Sequence, residues 1–122
     1  MDVLLVDDDD EIRELVSELL ADEGYRVREA IHGREAMDML EASGHGLPSL
    51  ILLDLMMPVM NGMQVLDELA ASERLRHIPV IVTTAAPDKA VGRPIASVIE
   101  KPYAITALLD EIRRYEGRAA LG

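Results

Sequence analysis

The chain has 122 residues, enough for one domain and too few for two. Twelve basic against 23 acidic residues give a net charge of −11, and aromatics make up only 2%, so neither phosphate attraction nor base stacking favours a nucleic-acid partner. The absence of cysteine excludes disulfides, thiolate nucleophiles and Cys-ligated metal centres. His32, His45 and His77 show no metal-ligand spacing and read as surface residues. No apolar run approaches the ~18 residues of a membrane span, and the N-terminus has neither a basic start nor a cleavage site. The expectation is a cytoplasmic, acidic domain spanning 1–122, with an aliphatic core.

Val3–Val6 is a short aliphatic run of the kind found in a strand buried on both faces. Ile12, Leu15, Val16, Leu19 and Leu20 follow the spacing of an amphipathic helix, with acids at its start, Asp9 as cap and Gly24 as stop. Tyr25–Ala30 reads as a strand and Arg34–Ala42 as a helix. Leu50–Leu53 is a second apolar strand, ending at Asp54. Pro58 and Asn61-Gly62 mark a loop before a helix carrying Val65, Leu66 and Leu69. Pro79 opens a strand that runs to Thr84, and Ser97–Glu100 is a short strand ending at Lys101-Pro102. Ile105, Leu108, Leu109 and Ile112 mark the last helix, and the tail after Tyr115 is too short for an output domain.

Strands alternating with helices imply an α/β fold with a parallel sheet and helices on both faces. In such sheets ligands bind beyond the carboxyl ends of the strands. Those ends carry Asp7-Asp8, Asp54, Thr84 and Lys101. Three converging carboxylates would repel each other by about 4 kcal/mol per pair at ~4 Å and an effective dielectric of 20, a cost that a bound cation relieves. Mg²⁺ suits the set, because it takes a few carboxylates, keeps waters and accepts phosphate oxygens. A carboxylate can then attack phosphorus while the metal and Lys101 neutralise the transferring oxygens and Thr84 donates to them. These parts make a phosphoryl acceptor site. The bland alternatives are a solvated acidic helix start at Asp7–Glu11 and an ordinary surface lysine at Lys101.

Several motifs carry a resemblance: Val6-Asp7-Asp8-Asp9, Leu52-Leu53-Asp54-Leu55-Met56-Met57-Pro58, Asn61-Gly62, Pro79–Ala85 and Lys101-Pro102-Tyr103. In this order, over essentially the whole chain, the sequence resembles the receiver domains of two-component response regulators. The resemblance implies a flavodoxin-like (βα)5 fold with strand order 2-1-3-4-5. It implies that Asp54 accepts a phosphoryl group from a phosphohistidine. It further implies that Asp8 binds Mg²⁺ directly, Asp7 through water, and the Met56 backbone carbonyl as a further ligand. Thr84 and Lys101 would contact the phosphoryl group, the Lys101-Pro102 bond would be cis, and Ala85 would leave room for the donor. The implied partners are a sensor histidine kinase or histidine phosphotransfer protein and a downstream protein target, with no membrane and no nucleic acid. Such a protein phosphorylates itself but turns over no external substrate.

The chain departs from the family between Thr84 and Lys101, where only 16 residues lie. The crossover is near the ~10–12 residue minimum for a βαβ connection. Pro87, Gly92 and Pro94 are poor in a helix interior. The family's fourth helix is therefore predicted to be missing or about one turn long. Val98 occupies the position of the family's usual switch aromatic, which puts the usual output route in doubt and leaves a phosphorylation-independent interaction module as the alternative. An aspartate-nucleophile phosphatase is disfavoured, since no further acidic motif or cap domain is found. Met56 and Ala86, at the positions that tune phosphate lifetime, are apolar and predict slow autodephosphorylation. Met56, Met57, Met60 and Met63 are expected to pack around the loop after Asp54, and Tyr103 and Tyr115 on the last helix.

Overall fold

A computed structural model describes residues 1–44, 46–93 and 95–121, with side chains as far as Glu116. Its elements are β1 (Asp2–Val6), α1 (Asp10–Asp22), β2 (Arg26–Ala30), α2 (Gly33–Ala42), β3 (Leu50–Asp54), α3 (Gly62–Ala71), β4 (Val80–Thr84), a 3₁₀ turn (Pro87–Ala90), β5 (Ser97–Glu100) and α4 (Ile105–Leu121). The five strands form one parallel sheet in the order β2-β1-β3-β4-β5. This is the flavodoxin-like arrangement with its switch point between β1 and β3.

Strand periodicity divides the core. Leu4, Val6, Ile51, Leu53, Val80 and Val82 face one way, onto Ala36, Met37 and Leu40 of α2 and Val65, Leu66 and Leu69 of α3. Val3, Leu5, Leu50, Leu52 and Ile81 face the other way, onto Val16 and Leu20 of α1 and Leu108, Leu109 and Ile112 of α4. Successive residues of a strand point to opposite faces, so an uninterrupted apolar run is what a doubly covered strand requires.

The family's fourth helix is reduced to the 3₁₀ turn, as the short, proline-bearing crossover requires. The remaining connection is fastened to α3 instead: Arg93 Nη1 donates to Asp67 Oδ1 (2.7 Å) and to the Met63 carbonyl (3.3 Å), while Ile95 packs on the α2–α3 layer.

Three local expectations need correction. Leu15, read as inward-facing, is half exposed, because the α1 stripe that reaches the sheet is narrowed to Val16 and Leu20, with Ile12 partly covered. The last helix continues through Leu121 rather than giving way to a tail after Tyr115. His32 is not a plain surface residue: its Nδ1 accepts the Glu35 amide at 3.1 Å and caps α2, while Glu35 Oε1 accepts the Ile31 amide at 3.2 Å. His77 is exposed, and His45 lies outside the described residues.

Candidate phosphoryl acceptor site

The site forms where β1, β3, β4 and β5 end. Just past β1, the Asp7 amide still donates to the Ala30 carbonyl of β2 (3.2 Å), so Asp7 is held in line with the sheet and is 2% exposed. Its Oδ1 accepts the Asp9 amide at 2.9 Å, and its Oδ2 lies 3.2 Å from Lys101 Nζ. Asp9 in turn caps α1 by accepting the Glu11 and Ile12 amides. Asp8, between them, is exposed.

Asp54 is the last residue of β3, paired in register with Thr83, and is 5% exposed. Its Oδ1 accepts the Met56 amide at 3.2 Å, and its Oδ2 lies 3.5 Å from Lys101 Nζ. The Lys101 ammonium thus stands between Asp7 and Asp54, while its amide donates to the Thr84 carbonyl at 2.8 Å. The Lys101-Pro102 peptide is cis. Thr84 is fully buried, and its Oγ1 accepts the Ala86 amide at 3.0 Å, which leaves the hydroxyl proton to donate elsewhere. Asp7, Asp8 and Asp54 each offer an oxygen within 4.8 Å of the others.

The loop after Asp54 is folded back on the site. The Gly62 amide donates to the Leu55 carbonyl at 2.9 Å, and a Cβ at position 62 would lie 2.6 Å from the Asp54 carbonyl oxygen. Only glycine permits that approach. Asn61 and Gln64 form a reciprocal capping box that starts α3 there. Asn61-Gly62 reads in the sequence as a turn; its close packing against the Asp54 backbone has no sequence signal of its own. Met57 and Met60 are buried and Met63 partly so, whereas Met56 is 50% exposed and does not join their packing.

Three carboxylates gather at a site with a single ammonium, which pairs with two of them, and the electrostatics record the excess. Burial pushes the Asp54 carboxyl up to about 6; Lys101 and the Met56 amide oppose this, while Asp7 and Asp8 add to it. Burial pulls the Lys101 ammonium down, but Asp54 and Asp7 outweigh it and leave the group raised. Tyr103, next to the cluster, is raised chiefly by its own burial, against the pull of Lys101. Hard oxygen donors with uncompensated negative charge are the donor set that Mg²⁺ takes.

Residues 3–113 match the family model described as the response regulator receiver domain. The chain is 36% identical to a CpxR-homologous transcriptional regulatory protein of Haemophilus influenzae over 97% of its own length, but spans only about half (51%) of that relative. It is 32% identical to the polar-differentiation response regulator DivK of Brucella ovis, covering 96% of this chain and 97% of DivK. Among solved structures, the chemotaxis response regulator CheY4 of Vibrio cholerae is similar with a TM-score of 0.81 and 31% identity, over 93% of this chain and 97% of that one. Fold, motif order and these relatives agree: the chain belongs to the response regulator receiver domains of two-component signalling systems.

Proposed function

We propose that the chain is a receiver domain that accepts a phosphoryl group on Asp54 from the phosphohistidine of a sensor kinase or phosphotransfer protein. The observation that carries this reading is the convergence of Asp7, Asp8 and Asp54, with Lys101 paired to Asp7 and Asp54 and Asp54 too poorly compensated by that one ammonium. An Asp54 oxygen would form the new P–O bond as the donor's P–N bond breaks, the imidazole leaving with the electron pair and taking up a proton. Lys101 would hold a phosphoryl oxygen, and the Thr84 hydroxyl would donate to another. Asp8, Asp54 and the Met56 carbonyl would hold Mg²⁺, with Asp7 acting through water. The ion would supply charge neutralisation of the transferring oxygens. The phosphorylated form would then signal by binding a downstream protein rather than by turning over a metabolite.

Incubation with acetyl phosphate and Mg²⁺, read by intact mass, tests this. Wild type should gain one hydroxylamine-labile phosphoryl group, and Asp54→Asn should gain none. No adduct on wild type, or an equal adduct on the variant, refutes it. One observation favours a second reading, a phosphorylation-independent interaction module: the crossover that lacks its fourth helix leaves Val98 and Val91 exposed. Absence of the adduct would turn the case toward that reading.

A further inference from the structure

Arg13 lies in the first turns of α1, and its guanidinium is spent on three partners: the loop after β1, its own helix and β2. Nη1 donates to the backbone carbonyl of Asp7 at 2.9 Å. Nη2 pairs with Asp10 Oδ1 at 2.5 Å, and Nε lies 3.3 Å from Glu29 Oε1 on β2. The Arg13 side chain is only 12% exposed. Glu29 is itself approached by Ser17 Oγ at 3.4 Å, so α1 grips the end of β2 at two points.

The carbonyl that Arg13 holds belongs to the Asp7–Asp8 peptide. Asp7 has other anchors: the Ala30 carbonyl, the Asp9 amide and Lys101. Asp54 is held by its strand, the Met56 amide and Lys101. Asp8 is the exposed member of the cluster, and its position follows from the plane of the peptide that precedes it. A planar fork bound at three points fixes orientation in a way that a single ammonium does not.

We infer that Arg13 is a positioning residue of the acceptor site: by locking the Asp7–Asp8 peptide it sets where the Asp8 carboxylate stands. The part of this that concerns Mg²⁺ rests on the reading given under the proposed function, whereas the peptide lock does not.

The test is carried out on the full chain by NMR, with Arg13→Gln and Arg13→Lys beside wild type, and Arg113→Gln as a control that breaks a remote ion pair with Glu23. In Mg²⁺ titrations, Arg13→Gln should weaken binding about tenfold, as loss of an outer partner of a metal ligand does. Arg13→Lys keeps the charge and one donor, and should lose about threefold or less. In the metal-free protein, the Asp9 amide should exchange about tenfold faster in Arg13→Gln while amides in β1 and β3 keep their protection. The control should change neither quantity. Mg²⁺ affinity and Asp9 exchange both within about twofold of wild type in Arg13→Gln would overturn the inference. So would a loss of protection spread over β1 and β2, which marks a general structural role. Failure of wild type to bind Mg²⁺ would sink the metal reading, and the metal-free exchange would then decide the role of Arg13 by itself.

Discussion

Asp54 lies buried with Lys101 3.5 Å from one of its oxygens, and burial still dominates its titration, lifting it from 3.8 to about 6. The folded protein therefore binds this proton more tightly than the unfolded chain does. The contribution to stability is complete below pH ~4 and is lost as pH rises through about 6. Asp54→Asn has no such loss, so in chelator its stability should gain on wild type between about pH 4 and 7, by roughly 3 kcal/mol in total. Urea unfolding of both proteins across that range checks this; parallel curves would contradict it. Under the proposed function, two other residues at the site would bear on how long a phosphoryl group on Asp54 lasts. Met56 and Ala86 offer no polar side chain to steer a water, their amides being engaged by Asp54 and Thr84. Replacing Met56 with Asn should shorten the adduct lifetime by about tenfold or more, measured as decay of the intact-mass adduct after donor removal.

The helices owe their placement to end chemistry as much as to their apolar faces. In α2, His32 serves as N-cap and the Gly33 amide donates to the Met60 carbonyl (3.0 Å), so the start of α2 braces the loop that follows Asp54. His32→Ala should cost about 1 kcal/mol in chemical denaturation, whereas His32→Asn, a better cap, should cost nothing. Four of the five strands were readable because their apolar runs stop at a charged or hydroxyl residue, and those stops form the candidate site; β2, with Arg26, Arg28 and Glu29, ends at Ala30 instead. His32 was not readable as a cap, since histidine is no common cap and its role depends on Nδ1 meeting one amide. Periodicity named Leu15 as inward because it marks a stripe, not how much of the stripe a narrow sheet covers. The half-exposure of Met56 was equally hidden: composition says methionine, and only the loop's turn back toward Leu55 decides which methionines go inside. The crossover could be read in advance because chain length and proline leave so few solutions.

For the molecule as a whole, a net charge of −11 opposes compaction, and part of that charge is concentrated at one edge of the sheet. Screening by NaCl should raise the melting temperature modestly. Mg²⁺ at a hundred times its dissociation constant should add about 2.7 kcal/mol beyond ionic-strength-matched NaCl, and nothing in Asp8→Ala. Calorimetry on both proteins decides the point, and an equal gain in the variant would place the ion elsewhere. Among the described residues, no helix is long and apolar enough to cross a membrane. The position of Tyr103 has an optical consequence. With no tryptophan in the chain, ultraviolet emission comes from three phenol rings, and Tyr103 is the ring whose titration responds to Lys101, Asp7 and Asp54. Tyr25 bonds instead to Glu116, and Tyr115 to the Ala96 carbonyl. The protein thus carries an unlabelled fluorophore within electrostatic reach of the buried Asp54 carboxylate.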